Sequence, residues 1–356
     1  MESQATRYPE AVLRDFAARL LIAGGLEADK AATVARLLVL TDMLGRRTHG
    51  LAMLPLYLAE LKSGGMTCTG QPEVVRDTAA TLVWDGNYLP GLWLMERAIH
   101  TAIERVATHG VVSVAIRKSH HIGCLAALVK QAADHGYIAL IANSDPAGKR
   151  VAPYGGKEAL FTPNPMAFGY PGATHPVLID MCASITTTSM TRQLHAAGEE
   201  FEHPWLQDAN GMPTTDPAVL EHTTPRGALQ LIGGQEYGHK GFGLALMIEA
   251  LSQGLAGHGR KDAPSRWGGN VFLQVLDPAF FAGDEAFAEQ TGFLADACRN
   301  NPPINPAQPV RVPGDQAARL HAQAVRDGIA FDSATAQALH ECAQRFKLPS
   351  LFHFPV

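Results

Sequence analysis

Apolar residues near the amino terminus recur at helical spacing, and further along they gather into short runs. Pro9 to Ile22 carries Val12, Phe16 and Leu20 on one helical face, and Gly24-Gly25 ends it. Ala28 to Leu44 predicts a second helix, with Val34, Leu37 and Leu38 together and Gly45 as its stop. A polar loop, Arg46-Arg47-Thr48-His49-Gly50, then leads into a helix over Leu51 to Leu61. Pro55 fits the first turn of that helix, where its missing N–H costs nothing.

From Thr81 the pattern alternates between strands and helices. Strands are predicted at Thr81 to Trp84, Val111 to Ile116, Tyr137 to Ala142, Ala167 to Tyr170, Val177 to Met181 and Asn270 to Leu276. Helices are predicted at Gly91 to Thr108, Cys124 to Asp134 and Glu285 to Arg299. A Gly-rich loop from Gly233 to Gly241 opens an apolar helix, Phe242 to Leu255. The tail reads as a short Val310-Arg311-Val312 strand, then helices over Gln316 to Arg326 and Ser333 to Arg345. The class is α/β, with helices clustered at both ends and the carboxy-terminal ones expected to fold back onto the first.

Composition narrows the setting. The 356 residues, 46% hydrophobic and 18% charged, belong to a globular protein of two or three domains or one large one. A net charge of −5 without runs of like charge argues against a nucleic-acid partner or a basic membrane patch. The five cysteines (Cys68, Cys124, Cys182, Cys298, Cys342) are widely spaced and form no CxxC pair, which suits a reducing cytoplasm. The polar start, Met1 to Arg7, is followed by no apolar run, so neither export nor membrane spanning is expected.

Candidate chemistry centres on Ile116 to Pro165. A β-branched run delivers Arg117-Lys118-Ser119-His120-His121-Ile122-Gly123 onto a strand-to-helix loop, where a titratable side chain is held yet open to substrate. The ordinary dinucleotide fingerprint G-x-G-x-x-G is missing. Gly238-His239-Lys240-Gly241 precedes a helix and reads as a tight turn with a surface lysine or, less readily, as a phosphate site. The 15 histidines contain no H-E-x-x-H, and adjacent His120 and His121 do not converge like ligands one helical turn apart, so no metal site is expected. There is no G-x-S-x-G elbow. A histidine in each of two loops, Asp180 at a strand end and two Gly-rich loops can support acid/base chemistry beside a nucleotide.

Taken in order, these segments resemble the malate/L-lactate dehydrogenase-like oxidoreductases, a family distinct from the Rossmann lactate and malate dehydrogenases. The resemblance covers nearly the whole chain. It rests on Thr48-His49-Gly50 with Pro55 and Tyr57, on Ser119-His120-His121-Ile122-Gly123, and on Val151-Ala152-Pro153 and Asn164-Pro165. Leu178-Ile179-Asp180-Met181 with Ser184, Asp208 to Pro217, Lys240-Gly241-x-Gly243-Leu244-Ala245 and Val312-Pro313-Gly314-Asp315 continue it. Single motifs are weak; their shared order carries the match. The branch it is most similar to is that of the hydroxycarboxylate dehydrogenases.

The resemblance implies a homodimer and a non-Rossmann nicotinamide-binding domain on a large mixed sheet, with a helical domain from both chain ends. The expected division is 1–75 (helical, with the Thr48-His49 loop), 76–310 (cofactor-binding and catalytic core) and 311–356 (helices packing back). It implies hydride transfer between NADH or NADPH and a 2-oxo acid, the cofactor choice being open. His49 is expected as proton donor, supported by Thr48 and Asp180, with His121 as substrate contact or alternative acid. Substrate contacts are expected from Met53, Tyr57, Lys118, His120 and Arg47. Cofactor contacts are expected from Asn143, Ser144, Met181, Cys182, Ala183, Ser184, Ile185, Thr186, Thr187, Lys240, Gly241, Gly314, Asp315 and Gln316.

Several family members carry an arginine where this chain has Met53, and a bidentate carboxylate clamp is not replaced by a thioether. Another cation (Arg46, Arg47 or Lys118) must take that role, and the expected substrate is a bulkier, more apolar 2-oxo acid, arylpyruvate-like, in preference to malate. Rival readings are reduction of a cyclic imine of the Δ1-piperideine-2-carboxylate type with NADPH, malate, lactate or ureidoglycolate oxidation, a metal-dependent hydrolase, and a non-catalytic nucleotide-binding protein.

Overall fold

Two short strands and five helices from the chain ends frame a central sheet. The computed structural model describes residues 6–221 and 225–352; residues 1–5 of the polar start lie outside them. Strand β1 (Arg7–Tyr8) precedes α1 (Glu10–Ala23), α2 (Ala28–Met43) and α3 (Leu54–Ser63). Most of the predicted apolar stripe positions bury: Phe16 and Leu20 on α1, Val34, Leu37 and Leu38 on α2; on α1 Val12 is exposed and Leu13 beside it faces the core instead. The expected Leu51–Leu61 helix begins later, because Leu51–Met53 tightens into a separate 3₁₀ turn after that of Arg47–His49.

Next come β2 (Glu73–Asp77), β3 (Thr81–Asp85), α4 (Gly91–His109), β4 (Val111–Ser119), α5 (Leu125–Asp134), β5 (Ile138–Ser144), β6 (Pro165–Tyr170) and β7 (Val177–Cys182). Helix α6 (Thr188–Ala197) leads to a small sheet of β8 (Leu206–Gln207), β9 (Pro213–Thr214) and β10 (Ala228–Leu229), then α7 (Gly234–Glu249) and β11 (Gly269–Leu276). The chain ends with α8 (Asp284–Arg299), α9 (Asp315–Asp327), β12 (Ile329–Ala330) and α10 (Ser333–Arg345).

The main sheet has seven strands in the order β2-β3-β4-β11-β5-β6-β7. It is mixed: β3 and β4, joined through α4, run parallel, and every other neighbouring pair is antiparallel. Late strand β11 sits at the centre. Its nearly continuous run Gly269–Leu276 is buried on both faces, which is what a central position demands. One large core joins the helices of both chain ends to α4, α5 and the sheet, and a smaller one on Val151, Phe161, Leu206, Ile248 and Phe272 serves the small sheet. In the carboxy-terminal segment, β12 pairs antiparallel with β1.

Three local expectations change. Val310-Arg311-Val312 forms no strand. Helix α7 starts at Gly234, not Phe242, because the glycines at 238 and 241 lie inside it against Tyr154 and the Ile232 backbone. Strand β4 runs on to Ser119, drawn out by its pairing with Gly269, so Lys118 belongs to the strand, at φ 51° beside a register shift. No helix among the described residues is long and apolar enough to cross a membrane.

Candidate active site

Strand β4 and the turn between α2 and α3 bring two histidines together. Where β4 ends, the main chain turns past α4, and Gly91 lies against the His120 and His121 carbonyls. A Cβ there would meet the His120 oxygen at 2.2 Å, so only glycine lets the loop approach. From the other side, Asp42 of α2 accepts the Leu51 N–H at 2.8 Å and packs under Gly50, fixing the loop that carries Thr48 and His49. The His49 and His121 rings end 5.8 Å apart at 29°.

Each ring has its own partner. Thr48 Oγ1 lies 2.9 Å from His49 Nδ1, and the Tyr57 hydroxyl lies 2.8 Å from His121 Nδ1. Trp267 stacks on His121 with centroids 5.2 Å apart, placed there because β11 pairs with the end of β4 two residues later. Burial holds His121 well below the ordinary histidine value, and the neighbouring His49 and His120 push the same way. His49 is also lowered by burial; the Asp180 carboxylate pulls it upward and the Arg46 guanidinium pushes it down. Burial raises the Tyr57 phenol, which therefore stays protonated. Asp42 is pushed up to about 7 by burial, against the Leu51 hydrogen bond and Arg47.

A cavity of about 840 Å³ opens in front of these rings. Thr48, His49, His121, Asp180, Asn143, Met181, Cys182 and Thr187 line it, so these eight predicted residues share one space. Asp180 serves differently from expectation. Its carboxylate accepts the Ala126 N–H at 2.9 Å at the start of α5 and the Cys124 thiol, and it reaches His49 only through space. The hydroxyl of Thr48, not Asp180, contacts the His49 ring.

Other predicted residues stand behind or away from that lining. Tyr57 is buried behind His121. His120 is fully buried against Tyr57 and Trp267, 3.4 Å from Glu60, and burial pushes it down to about 3. Met53 packs half-buried against the main core. Lys118 pairs with Asp85 at 2.8 Å, and Arg47 stands near Asp42 and Asp332. Ser144, one residue beyond Asn143 on β5, points to the opposite face, into a network with Asn164, Glu249, Gln253 and Arg260.

Ala183, Ser184, Ile185 and Thr186 form the link from β7 to α6; the Ala183 and Ile185 N–H groups donate to Pro163 and Gln230. Lys240 and Gly241 lie in the second turn of α7, where the Gly241 N–H donates to Ile232 and Lys240 sits over the Tyr237 ring. Gly314, Asp315 and Gln316 open α9 beside the beginning of β7, at the opposite end of that strand from Asp180; Asp315 is bound to Arg299 and Gln316 to Arg311.

Further lining residues include Arg46 and, without a sequence signal, Leu56, Glu60, Asp145, Arg150, Arg192, Ser265 and Trp267. Arg46 had stood among the possible clamps. The others come from segments far apart in the chain, and no local pattern marks them. Asn143 Oδ1 is buried without a hydrogen-bond partner among the described residues. An unsatisfied acceptor at a cavity wall fits the carboxamide of a nicotinamide ring. No group of three or more His, Cys, Asp or Glu side chains able to hold a metal ion occurs among the described residues.

Comparison with known proteins places this arrangement. The sequence profile of the family described as "Malate/L-lactate dehydrogenase" matches residues 8–340. The L-lactate dehydrogenase of Cupriavidus necator is 32% identical over 342 residues, covering 93% of this chain and 95% of that one. Hydroxycarboxylate dehydrogenase B of Escherichia coli is 27% identical over 350 residues, covering 96% and 95%. The solved structure of malate dehydrogenase from Pyrococcus horikoshii superposes with a TM-score of 0.85 at 27% identity, over 98% of this chain and 97% of that one.

Proposed function

The chain belongs to the malate/L-lactate dehydrogenase family and is an oxidoreductase; from that premise we propose that it reduces a bulky, apolar 2-oxo acid to the 2-hydroxy acid, reversibly, with NADH or NADPH and with His49 as proton donor. One observation carries the reading: His49 and His121, each hydrogen-bonded from behind, face one cavity 5.8 Å apart beside an unpaired Asn143 acceptor and Arg46. The reduced nicotinamide, with its carboxamide on Asn143, would supply the hydride. The chain's residues handle charge and the proton.

Hydride reaching the carbonyl carbon leaves the electron pair on oxygen, and His49 gives that oxygen a proton in the same step. Positioned proton transfer of this kind is worth ~10²–10⁴ in rate. His121, kept neutral by burial, is suited to hydrogen-bond the carbonyl through Nε2 while Tyr57 holds Nδ1. Arg46, whose side chain has no ion-pair partner among the described residues, takes the substrate carboxylate that Met53 does not serve. Burial is the main cause that lowers His49; the substrate carboxylate offsets the smaller contribution of Arg46 and so shifts His49 toward the protonated imidazole. Asp180 pulls in the same direction.

Leu56, Ile122, Leu125, Met181 and Trp267 supply apolar wall for the substrate side chain. The reading includes a homodimer in a reducing cytoplasm. All five cysteines are free, and Leu246, Met247 and Leu255 leave apolar surface exposed on and just beyond α7. Light scattering of the purified chain tests the dimer.

The test of activity is oxidation of NADH and NADPH, followed by their near-ultraviolet absorbance, against pyruvate, oxaloacetate, phenylpyruvate and a cyclic imino acid. The highest kcat/KM is expected with phenylpyruvate. A clear preference for oxaloacetate overturns the side-chain assignment, and turnover of the imino acid alone overturns oxo-acid reduction.

A further inference from the structure

Away from the histidines, the cavity is lined by cations. Arg150 and Arg192 line it beside Thr187, Thr188 and Ser189 at the start of α6. The Arg150 carbonyl accepts the Leu229 N–H at 2.8 Å, which draws the chain before β10, and with it Arg226, alongside. Arg226 Nε is buried and has no hydrogen-bond partner among the described residues. Arg150 Nη1 donates to its neighbour's carbonyl, that of Lys149.

None of the three guanidinium groups forms a salt bridge among the described residues, whereas Arg36, Arg105, Arg117, Arg260 and Arg299 each have a carboxylate. Arg150 is held below its ordinary value by burial and then by the charges of Arg226 and Arg192; Glu221 and Asp145 act the other way and more weakly. Asp145 also lines this cavity, but no carboxylate forms a salt bridge with these cations among the described residues, so they repel one another and raise the local concentration of anions.

We propose that Arg150 and Arg192, with the charge of Arg226 beside Arg150, form a phosphomonoester-binding site on this cavity wall, and that its ligand is the 2′-phosphate of NADP(H). The proposal rests on reading the cavity as the nicotinamide cofactor site. A phosphomonoester near pH 7 carries about −1.5 to −2 charges on three terminal oxygens, a match for two planar donor forks with a third positive charge beside them. Each phosphate of the pyrophosphate bridge carries one charge and needs less. Free N–H groups in the first turn of α6 add donors on the same side. In dinucleotide sites generally, an arginine beside the ribose is what accommodates a 2′-phosphate.

Calorimetric titration of the full chain with 2′,5′-ADP, 5′-AMP, NADPH and NADH tests this without any turnover. The natural chain is expected to bind 2′,5′-ADP at least ~10-fold more tightly than 5′-AMP, the worth of one hydrogen bond to a charged group. In Arg192→Gln and Arg150→Gln that advantage should shrink ~10-fold or more, with the thermal midpoint confirming that each variant folds. Equal affinity for the two nucleotides in the natural chain overturns the proposal. So does an equal loss for both in the variants, which would move the arginines to the phosphates that NAD and NADP share. A chain that prefers 2′,5′-ADP yet turns over no oxo acid keeps the phosphate site and loses the reaction; turnover with NADH alone does the reverse.

Discussion

In the histidine region of the cavity, His120, His121 and Tyr57 are buried and contact one another and Trp267, and every shift there favours the neutral form. In the arginine region, Arg192 is exposed, Arg150 and Arg226 are half-buried, and none of the three forms a salt bridge among the described residues. Proton transfer gains from a dry, fixed wall in which one group alone changes charge. Capture of an anionic ligand gains from unpaired charge left in reach of water. One cavity provides both because its walls come from different segments: the turn between α2 and α3, α3 and the loop after β4 on one side, the β5–β6 connection and α6 on the other.

The strongest way to break this contrast is to remove the proton donor. His49→Asn is expected to lower kcat ~10²–10⁴-fold while leaving the affinity for 2′,5′-ADP within a few-fold, measured by steady-state kinetics beside calorimetry. Loss of both together would mean that the two regions are not separate. The next effect is structural. Arg260, behind the cavity, has the carboxylate that the three arginines lack, with its Nη2 2.9 Å from Glu249. Glu249→Ala should cost about 3 kcal/mol in denaturant unfolding, since it leaves a mostly buried guanidinium unpaired. A loss under about 1 kcal/mol would show that water replaces Glu249.

A third test uses pH. His120 takes up its proton near 6.5 when unfolded and only at about 3 when folded. The unfolded chain therefore binds more protons as pH falls through that window, and stability should drop by about 1.4 kcal/mol per pH unit for this residue. His121, also depressed, adds a slope of the same sign. Denaturant midpoints at successive pH values should show a shallower fall in His120→Asn than in the natural chain, and equal slopes would count against a neutral His120. The smallest effect expected is that of Thr48→Val. Removing the hydroxyl at His49 Nδ1 should cost about 1 kcal/mol in the transition state, read as a several-fold drop in kcat with KM little changed.

Much of this was legible in the chain, unevenly. The α1 and α2 stripes, the strand before His120-His121 and the apolar run of β11 are local patterns, and they formed where their periods placed them. Lys240-Gly241 shows the limit. A Gly-rich stretch before an apolar helix fits both a phosphate loop and a helix whose glycines allow close packing, and the contact with Ile232 and Tyr154 selects the second. Asn143 and Ser144 show another. The sequence marks both at a strand end, but the pleat sends one to the cavity and the other to Arg260.

By itself, then, the sequence determined the α/β class, the absence of a Rossmann fingerprint, the family's motifs and the two histidine loops, because each is written in neighbouring residues. Only the tertiary structure decided that β11 lies between β4 and β5, that Trp267 covers His121, that Thr48 rather than Asp180 contacts His49, and that Arg226 and Arg192 come near Arg150. Those are relations between segments far apart in the chain, set by strand register and by which faces must be buried together, and no local period records them.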